Sequence, residues 1–87
     1  MNFYLGIDFG TSGARAVVIN AESIVQAETQ YPFPTAVAAT AEEWQQALET
    51  LIRQIPQNIR GEIRAIAING TSSTVLLCDQ LGKPVAA

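Results

Sequence analysis

The sequence predicts an α/β fold in which three strands, one helix and a fourth strand follow one another, in the order β-β-β-α-β. Two observations carry this prediction. Three segments with strand character, separated by turn residues, occupy the chain up to residue 31, and a helix signal then precedes a continuously apolar segment. Because a helical crossover connects parallel strands, we expect the fourth strand to run parallel to the first in a mixed sheet.

The first three strands are predicted from their side-chain patterns. Residues 3–8 are apolar enough for a strand covered on both faces, and residues 14–20 are rich in β-branched side chains. Residues 24–31 alternate between two faces, which is typical of the half-exposed outer strand of an antiparallel meander. Pro32 and Pro34 end this strand.

A helix is predicted to begin at Thr40, because Thr40 and Glu43 have the spacing of a capping box. Pro56 marks its end. The apolar residues between them recur at helical spacing and are expected to face the core: Trp44, Ala47, Leu48, Leu51, Ile52 and Ile55. Residues 63–68 then resemble a central strand, residues 69–73 form a polar break, and residues 74–78 return to strand character.

Composition argues against several classes of partner and site. The chain has 87 residues and a net charge of −3, and its five cations are scattered, so no basic patch for nucleic acid is expected. With one cysteine and no histidine, neither a disulfide nor a cysteine-histidine zinc site can form within the chain. Cys78 is expected to be a buried small hydrophobic residue. No apolar run approaches the ~20 residues of a membrane span and no signal peptide is recognisable, so we expect a cytoplasmic protein without membrane contact.

Two polar breaks follow predicted parallel strands. Residues 7–13, IDFGTSG, end the first strand, and residues 69–73, NGTSS, end the fourth. Because the carboxyl ends of parallel strands meet at one edge of a sheet, Asp8 and its loop are expected to lie near Asn69. Ligands bind at such edges in open α/β sheets.

The residues of these breaks carry a family resemblance. LGIDFGTSGARAVVI, residues 5–19, resembles the first phosphate-binding element of the actin, hexokinase and Hsp70 superfamily. Together with AINGTSSTVLLCD, residues 67–79, it is similar to the start of FGGY-family carbohydrate kinases, especially ribulokinase-like and xylulokinase-like members. The resemblance covers essentially the whole chain. It implies a ribonuclease-H-like (actin-like ATPase) N-terminal subdomain, in which residues 1–87 are the phosphate-loop and sugar-binding half and a C-terminal ATPase domain is absent.

The resemblance implies that the first hairpin binds the phosphates of ATP. Gly10 and Gly13 allow a tight turn and a close approach of the backbone to phosphate. Thr11 and Ser12 offer hydroxyl and amide donors to phosphate oxygens. Arg15 matches a family position that can reach the phosphates and offset developing charge.

The resemblance also implies a magnesium ion and a sugar site. Asp8 would hold a hydrated Mg²⁺ through water and lies at the edge of the sugar site. Thr71, Ser72 and Ser73 are the expected sugar contacts, since hydroxyl side chains suit a polyol. They depart from the Gln-Met-His-Gly pattern of xylulokinases and are closer to the ribulokinase-like form. The expected substrate is a ketopentose such as D-ribulose or D-xylulose.

Catalysis is not expected from this chain alone. The general-base aspartate and most of the adenine pocket of the resembled kinases lie downstream, so the 87-residue chain is expected to be inactive. Asp79 could serve as a base, but its turn sequence favours a loop role. One alternative is a structural or interaction fragment, which associates with the missing C-terminal domain or with itself through exposed sheet edges. A second is a ribonuclease-H-like nuclease, which needs clustered carboxylates where this chain has Asn69.

Overall fold

The computed structural model describes residues 1–33, 40–70 and 78–83. Four strands form a mixed sheet in the order β3-β2-β1-β4, with β1 antiparallel to β2 and parallel to β4. The helical crossover between β3 and β4 confirms the predicted β-β-β-α-β order through the fourth strand. The elements are β1 (Phe3–Phe9), β2 (Gly13–Asn20), β3 (Val25–Pro32), α1 (Ala41–Gln54), α2 (Gln57–Arg60) and β4 (Ile63–Gly70). The strand predicted at residues 74–78 lies outside the described residues except for Cys78.

The β2–β3 turn is shaped by Asn20. Its side-chain Oδ1 accepts hydrogen bonds from the backbone N–H groups of Glu22 and Ile24, each at 2.9 Å. A side chain that accepts a hydrogen bond from the backbone N–H two residues later stabilises a turn. Here it takes the place of backbone hydrogen bonds of the strand ladder, which ends at the turn. Ser23 takes a left-handed φ of 65° in this turn. The hydrogen bonds of the Asn20 side chain therefore stabilise the reversal of chain direction between β2 and β3.

The core lies on one face of the sheet, beneath α1. Alternate residues of β1 and β2 point toward the helix, as a period of two requires. The buried apolar residues are Phe3, Leu5, Ile7, Ala14, Ala16, Val18, Phe33, Ala47, Leu51 and Ile55. Trp44 is partly buried against this cluster, which confirms its predicted core role. The opposite face, which carries Asp8 and Arg15, is open in the described part of the chain.

Three predictions about burial were wrong in this structure. β1 is covered on one face rather than two, and β4 is an edge strand of the described sheet rather than a central one. Ile66 and Ile68 of β4 are 55% and 63% exposed, because α1 packs mainly against β2 and β3. Cys78 is exposed rather than buried. Each of these apolar segments is suited to contacts that the described residues do not supply.

Across residues 1–33, 40–70 and 78–83, the structure has no helix whose length and apolarity would let it cross a membrane.

Candidate functional site

Three polar residues lie side by side on three neighbouring strands. Asp8 of β1 is in register with Arg15 of β2 on one side and with Asn69 of β4 on the other. In-register partners project to the same face, here the face opposite α1, and all three side chains are exposed. The parallel pairing of β1 and β4 therefore brings Asp8 and Asn69 together, as the sequence predicted.

Asp8 and Asn69 are joined by a hydrogen bond. The Nδ2 of Asn69 donates to the Oδ1 of Asp8 at 3.4 Å. Both side chains, together with Arg15, line a shallow depression of about 300 Å³ on the open face of the sheet. Gly6 also lines this depression, and because it has no side chain, it leaves the space beside Asp8 unfilled. A methyl group at Gly6 would meet the Val17 carbonyl oxygen at 4.0 Å, so the fold itself does not demand glycine here.

The tip of the β1–β2 hairpin presents unused donors. Thr11 and Ser12 are exposed and lie between Gly10 and Gly13, whose backbone hydrogen bond closes the hairpin. In the described part of the chain, neither the backbone N–H groups nor the hydroxyls of these two residues make a hydrogen bond. The Ser12 carbonyl is held by the N–H of Phe33 at 3.0 Å, which fixes the tip against the end of β3. Two amides and two hydroxyls are thus available to an oxyanion.

The two glycines of the loop have different structural roles. The N–H of Gly10 donates to the Gly13 carbonyl at 2.8 Å and closes the hairpin, so this amide is already used. A Cβ on Gly13 would lie 2.6 Å from the Tyr31 carbonyl oxygen, so packing against β3 alone requires glycine. A Cβ on Gly10 would meet its nearest neighbour at 3.4 Å. Among the described residues, only Ser23 and Gly82 have left-handed φ values, so the turn does not depend on glycine for its φ angles.

The second polar break is described only in part. Thr71, Ser72 and Ser73, the predicted sugar contacts, lie outside the described residues. The break begins later than predicted, because Asn69 and Gly70 belong to β4 and pair with Asp8 and Phe9.

Asp79 is used within its own turn. Its Oδ1 accepts hydrogen bonds from the N–H groups of Leu81 and Lys83 at 2.9 and 3.0 Å. This contact agrees with the loop role that its sequence favoured over that of a catalytic base. The carboxylate of the site is therefore Asp8.

Asn69 is the site residue that the sequence-based prediction did not select. The sequence places Asn69 in the polar break near Asp8, at the edge of the expected sugar site, and at the position where a nuclease would need a second carboxylate. It assigns Asn69 no contact of its own. The sequence feature that could have identified Asn69 is its position: Asn69 follows the apolar run of β4 just as Asp8 follows the apolar run of β1, and parallel pairing places such residues side by side. Gly6 gave no such signal, because its role depends on the depression that neighbouring strands form.

The donor set around Asp8 fits a hydrated magnesium ion. Mg²⁺ prefers oxygen ligands, keeps several waters and is commonly held by one or two carboxylates together with substrate phosphates. Asp8 provides one exposed carboxylate in an open depression. The described residues contain no group of three or more histidine, cysteine, aspartate or glutamate side chains that could enclose a metal without water or substrate.

Comparisons with known proteins agree with this architecture. The profile of the N-terminal domain of the FGGY family of carbohydrate kinases matches residues 3–87. A glycerol kinase of Thermococcus kodakarensis is 33% identical over an alignment of 92 residues, and the match covers 95% of this chain and 18% of that protein. A crystal structure of a xyloylose kinase from Brucella ovis matches with a TM-score of 0.76 and 22% identity, over 95% of this chain and 19% of the other.

The structural match confirms the predicted fold, and at 22% identity it supports the fold alone. The chain spans less than a fifth of the length of these two relatives.

Proposed function

This chain belongs to the FGGY family of carbohydrate kinases, and from that premise we propose that it supplies the phosphate-binding hairpin and part of the sugar site of an ATP-dependent sugar kinase. The observation that carries the proposal is the arrangement at one edge of the sheet. The unused donors of Thr11 and Ser12 stand at the hairpin tip, and Asp8 lies at the end of the strand that leads into it. Residues 1–87 would form part of the N-terminal domain, and the remainder of the kinase would add the C-terminal ATPase domain.

Each residue has a defined task in this proposal. The hairpin amides and hydroxyls of Thr11 and Ser12 donate to phosphate oxygens, and Arg15 offsets negative charge on them. Asp8 holds Mg²⁺ through water, and the ion, when bound, neutralises charge on the phosphates of ATP. The Gly10 N–H closes the hairpin by donating to the Gly13 carbonyl, and the absence of a Cβ at Gly10 lets a phosphate approach the backbone closely. Gly13 allows the second strand to pack closely against Tyr31.

The phosphoryl transfer also needs groups beyond these residues. A sugar hydroxyl oxygen attacks the γ-phosphorus, the bond to the leaving ADP oxygen breaks, and the hydroxyl proton passes to a base. Asp79 is engaged in its turn, and the base is proposed to lie in the remainder of the kinase. We therefore expect the 87-residue chain to bind ligands weakly and to have no kinase activity of its own.

The substrate is proposed to be a ketopentose, D-ribulose or D-xylulose, contacted by Thr71, Ser72, Ser73 and the edge of the site at Asp8. The second candidate is glycerol, because the relative from Thermococcus kodakarensis is a glycerol kinase and is 33% identical. All three are polyhydroxylated molecules whose hydroxyls need hydrogen-bonding partners when water is displaced. Hydroxyl side chains alone do not discriminate among them.

The two other functional classes make different demands on the site. A metal-dependent nuclease needs clustered carboxylates, and the in-register neighbour of Asp8 on β4 is Asn69. A purely structural fragment would not need the open donors at the hairpin tip. Association with the remainder of the kinase is compatible with our proposal. Self-association through exposed sheet edges stays a prediction, which sedimentation velocity over a range of concentrations would measure.

Isothermal titration calorimetry of the 87-residue chain with Mg-ATP and Mg-ADP tests the nucleotide site. We predict weak binding by the wild-type chain and at least about tenfold weaker binding by Asp8→Asn, which keeps the shape of the side chain and removes its charge. Glu22→Gln is the matched control, because Glu22 lies in the β2–β3 turn at the other end of these strands. Equal losses in both variants, or none in Asp8→Asn, would contradict the proposal.

The sugar is identified by separate titrations with D-ribulose, D-xylulose and glycerol. We expect heat from one of the two ketopentoses and a weaker response to glycerol, and Ser72→Ala should reduce the response to the preferred sugar. A response to glycerol alone would move the assignment to the second candidate.

A further inference from the structure

We infer that Asn69 is a positioning residue that orients the Asp8 carboxylate for a divalent cation. The inference rests on the proposed function of Asp8 and gives Asn69 a role at the metal site, beyond its place in the polar break at the edge of the predicted sugar site. It proceeds from one contact between two strands that are distant in sequence and adjacent in the sheet.

The backbone brings the two side chains together without any ligand. Asp8 and Asn69 are Cα partners in the parallel β1–β4 ladder, and both project from the face opposite α1. The Asn69 amide reaches the Asp8 carboxylate at 3.4 Å across this ladder. Because both residues sit on regular strands rather than in loops, their relative position is set by the register of the sheet.

The chemistry of the pair defines the direction of the hydrogen bond. An ionised carboxylate only accepts hydrogen bonds, so the amide must present its NH₂ group to Asp8. The bond engages Oδ1 and leaves Oδ2 for a water in the shell of a cation. A partner that holds one oxygen of a metal-binding carboxylate restricts its rotation, and removal of such partners typically costs about 10- to 100-fold in metal affinity.

A neutral partner suits this task better than a charged one. An aspartate at position 69 would place a second negative charge beside Asp8 and could not donate while ionised. Arg15, on the other side of Asp8, is directed to the phosphates in the proposed function and has no hydrogen bond to Asp8 among the described contacts. Asn69 is therefore the residue that fixes the carboxylate while adding no charge.

Titration with Mn²⁺, followed by ¹⁵N NMR of the 87-residue chain, tests this inference without kinase activity. Mn²⁺ at Asp8 should broaden the backbone resonances of residues 8–12. We expect Asn69→Ala to weaken Mn²⁺ binding about tenfold, at the low end of the range because the pair is exposed. Asn69→Leu, which keeps the approximate shape and removes the donor, should do the same. Asn58→Ala, on α2, is the control and should leave the affinity unchanged.

A metal-free measurement separates positioning from a general effect on folding. The side-chain amide resonance of Asn69 should shift in Asp8→Asn and not in Glu22→Gln, while the urea midpoints of the Asn69 variants stay near that of the wild type.

Unchanged Mn²⁺ affinity in folded Asn69→Ala and Asn69→Leu would overturn the inference and leave the proposed function standing, provided that Asp8→Asn still loses the ion. No broadening at residues 8–12 in the folded wild-type chain would overturn the inference together with the proposed metal role of Asp8.

Discussion

Gly10 and Gly13, which flank the hairpin tip, show how residues of one kind serve different physical needs. Both were expected to be glycine because a phosphate approaches the backbone there. The structure provides a separate reason for Gly13, whose missing Cβ makes room for the Tyr31 carbonyl oxygen and for the Cα of Pro32, 3.0 Å from the position that a Cβ would take. Gly10 has no such close neighbour, so its contribution to phosphate binding can be tested without disrupting the fold.

Gly13→Ala is predicted to lower the free energy of unfolding by about 1–3 kcal/mol, because the added methyl would overlap backbone atoms that cannot rotate away. Gly10→Ala is the matched variant and should change stability by less than about 1 kcal/mol. Urea denaturation followed by circular dichroism measures both. Similar losses in the two variants would contradict the assignment of distinct roles.

Helix α1 is held to the sheet and capped by specific hydrogen bonds. At its N-terminus, the Thr40 hydroxyl accepts from the Glu43 N–H at 3.2 Å, which confirms the capping box read from the sequence. Near its C-terminus, the Thr29 hydroxyl of β3 donates to the Leu51 carbonyl at 3.1 Å. The last four carbonyls of a helix have no partner within it, so Thr29 satisfies one of them and ties the helix to the strand.

Thr29→Val is predicted to destabilise the chain by about 1–3 kcal/mol, because the substitution keeps the side-chain shape and leaves the Leu51 carbonyl without this partner. Thr50→Val on α1 is the control, since the Thr50 side chain makes no hydrogen bond within the described residues. Thermal denaturation should separate the two variants. If Thr50→Val were destabilised as much as Thr29→Val, the loss of stability would be due to the added apolar side chain and not to the lost hydrogen bond.

Over the whole molecule, stability is concentrated on one side of the sheet. The buried residues come from the face of β1 and β2 beneath α1, from α1 and its C-cap, and from Phe33, while β4 contributes no buried residue in the described part of the chain. A chain of this size buries a smaller share of its surface than a large domain does, and its folding stability is correspondingly small. A few core side chains therefore carry much of its stability.

Leu51→Ala is predicted to cost about 2–5 kcal/mol, because Leu51 has no exposed surface and its truncation leaves a cavity between helix and sheet. Ile68→Ala should cost less than about 1 kcal/mol, because this side chain is 63% exposed. Chemical denaturation of the two variants gives the comparison. If Ile68→Ala were the more harmful, β4 would have to be covered by contacts outside the described residues.

Much of the fold was predictable because its signals are local. Period-two alternation marked the outer strand, the Thr40–Glu43 spacing marked the start of α1, and the crossover rule gave the parallel direction of β4. These predictions also placed Asp8 near Asn69. The burial of β1, β4 and Cys78 was not predicted correctly, because an apolar pattern reports what a segment is suited to contact and not whether that partner is present.

The sequence by itself determined the order of the elements, the family and the identity of the hairpin residues, since each depends on short-range pattern or motif. Only the tertiary structure decided that Asn69 bonds to Asp8 and that Gly13 must be glycine to admit Tyr31. Both contacts join residues on different strands, and their distances depend on the register and twist of the sheet. Those quantities are set by the packing of the whole sheet against α1, which no short segment encodes.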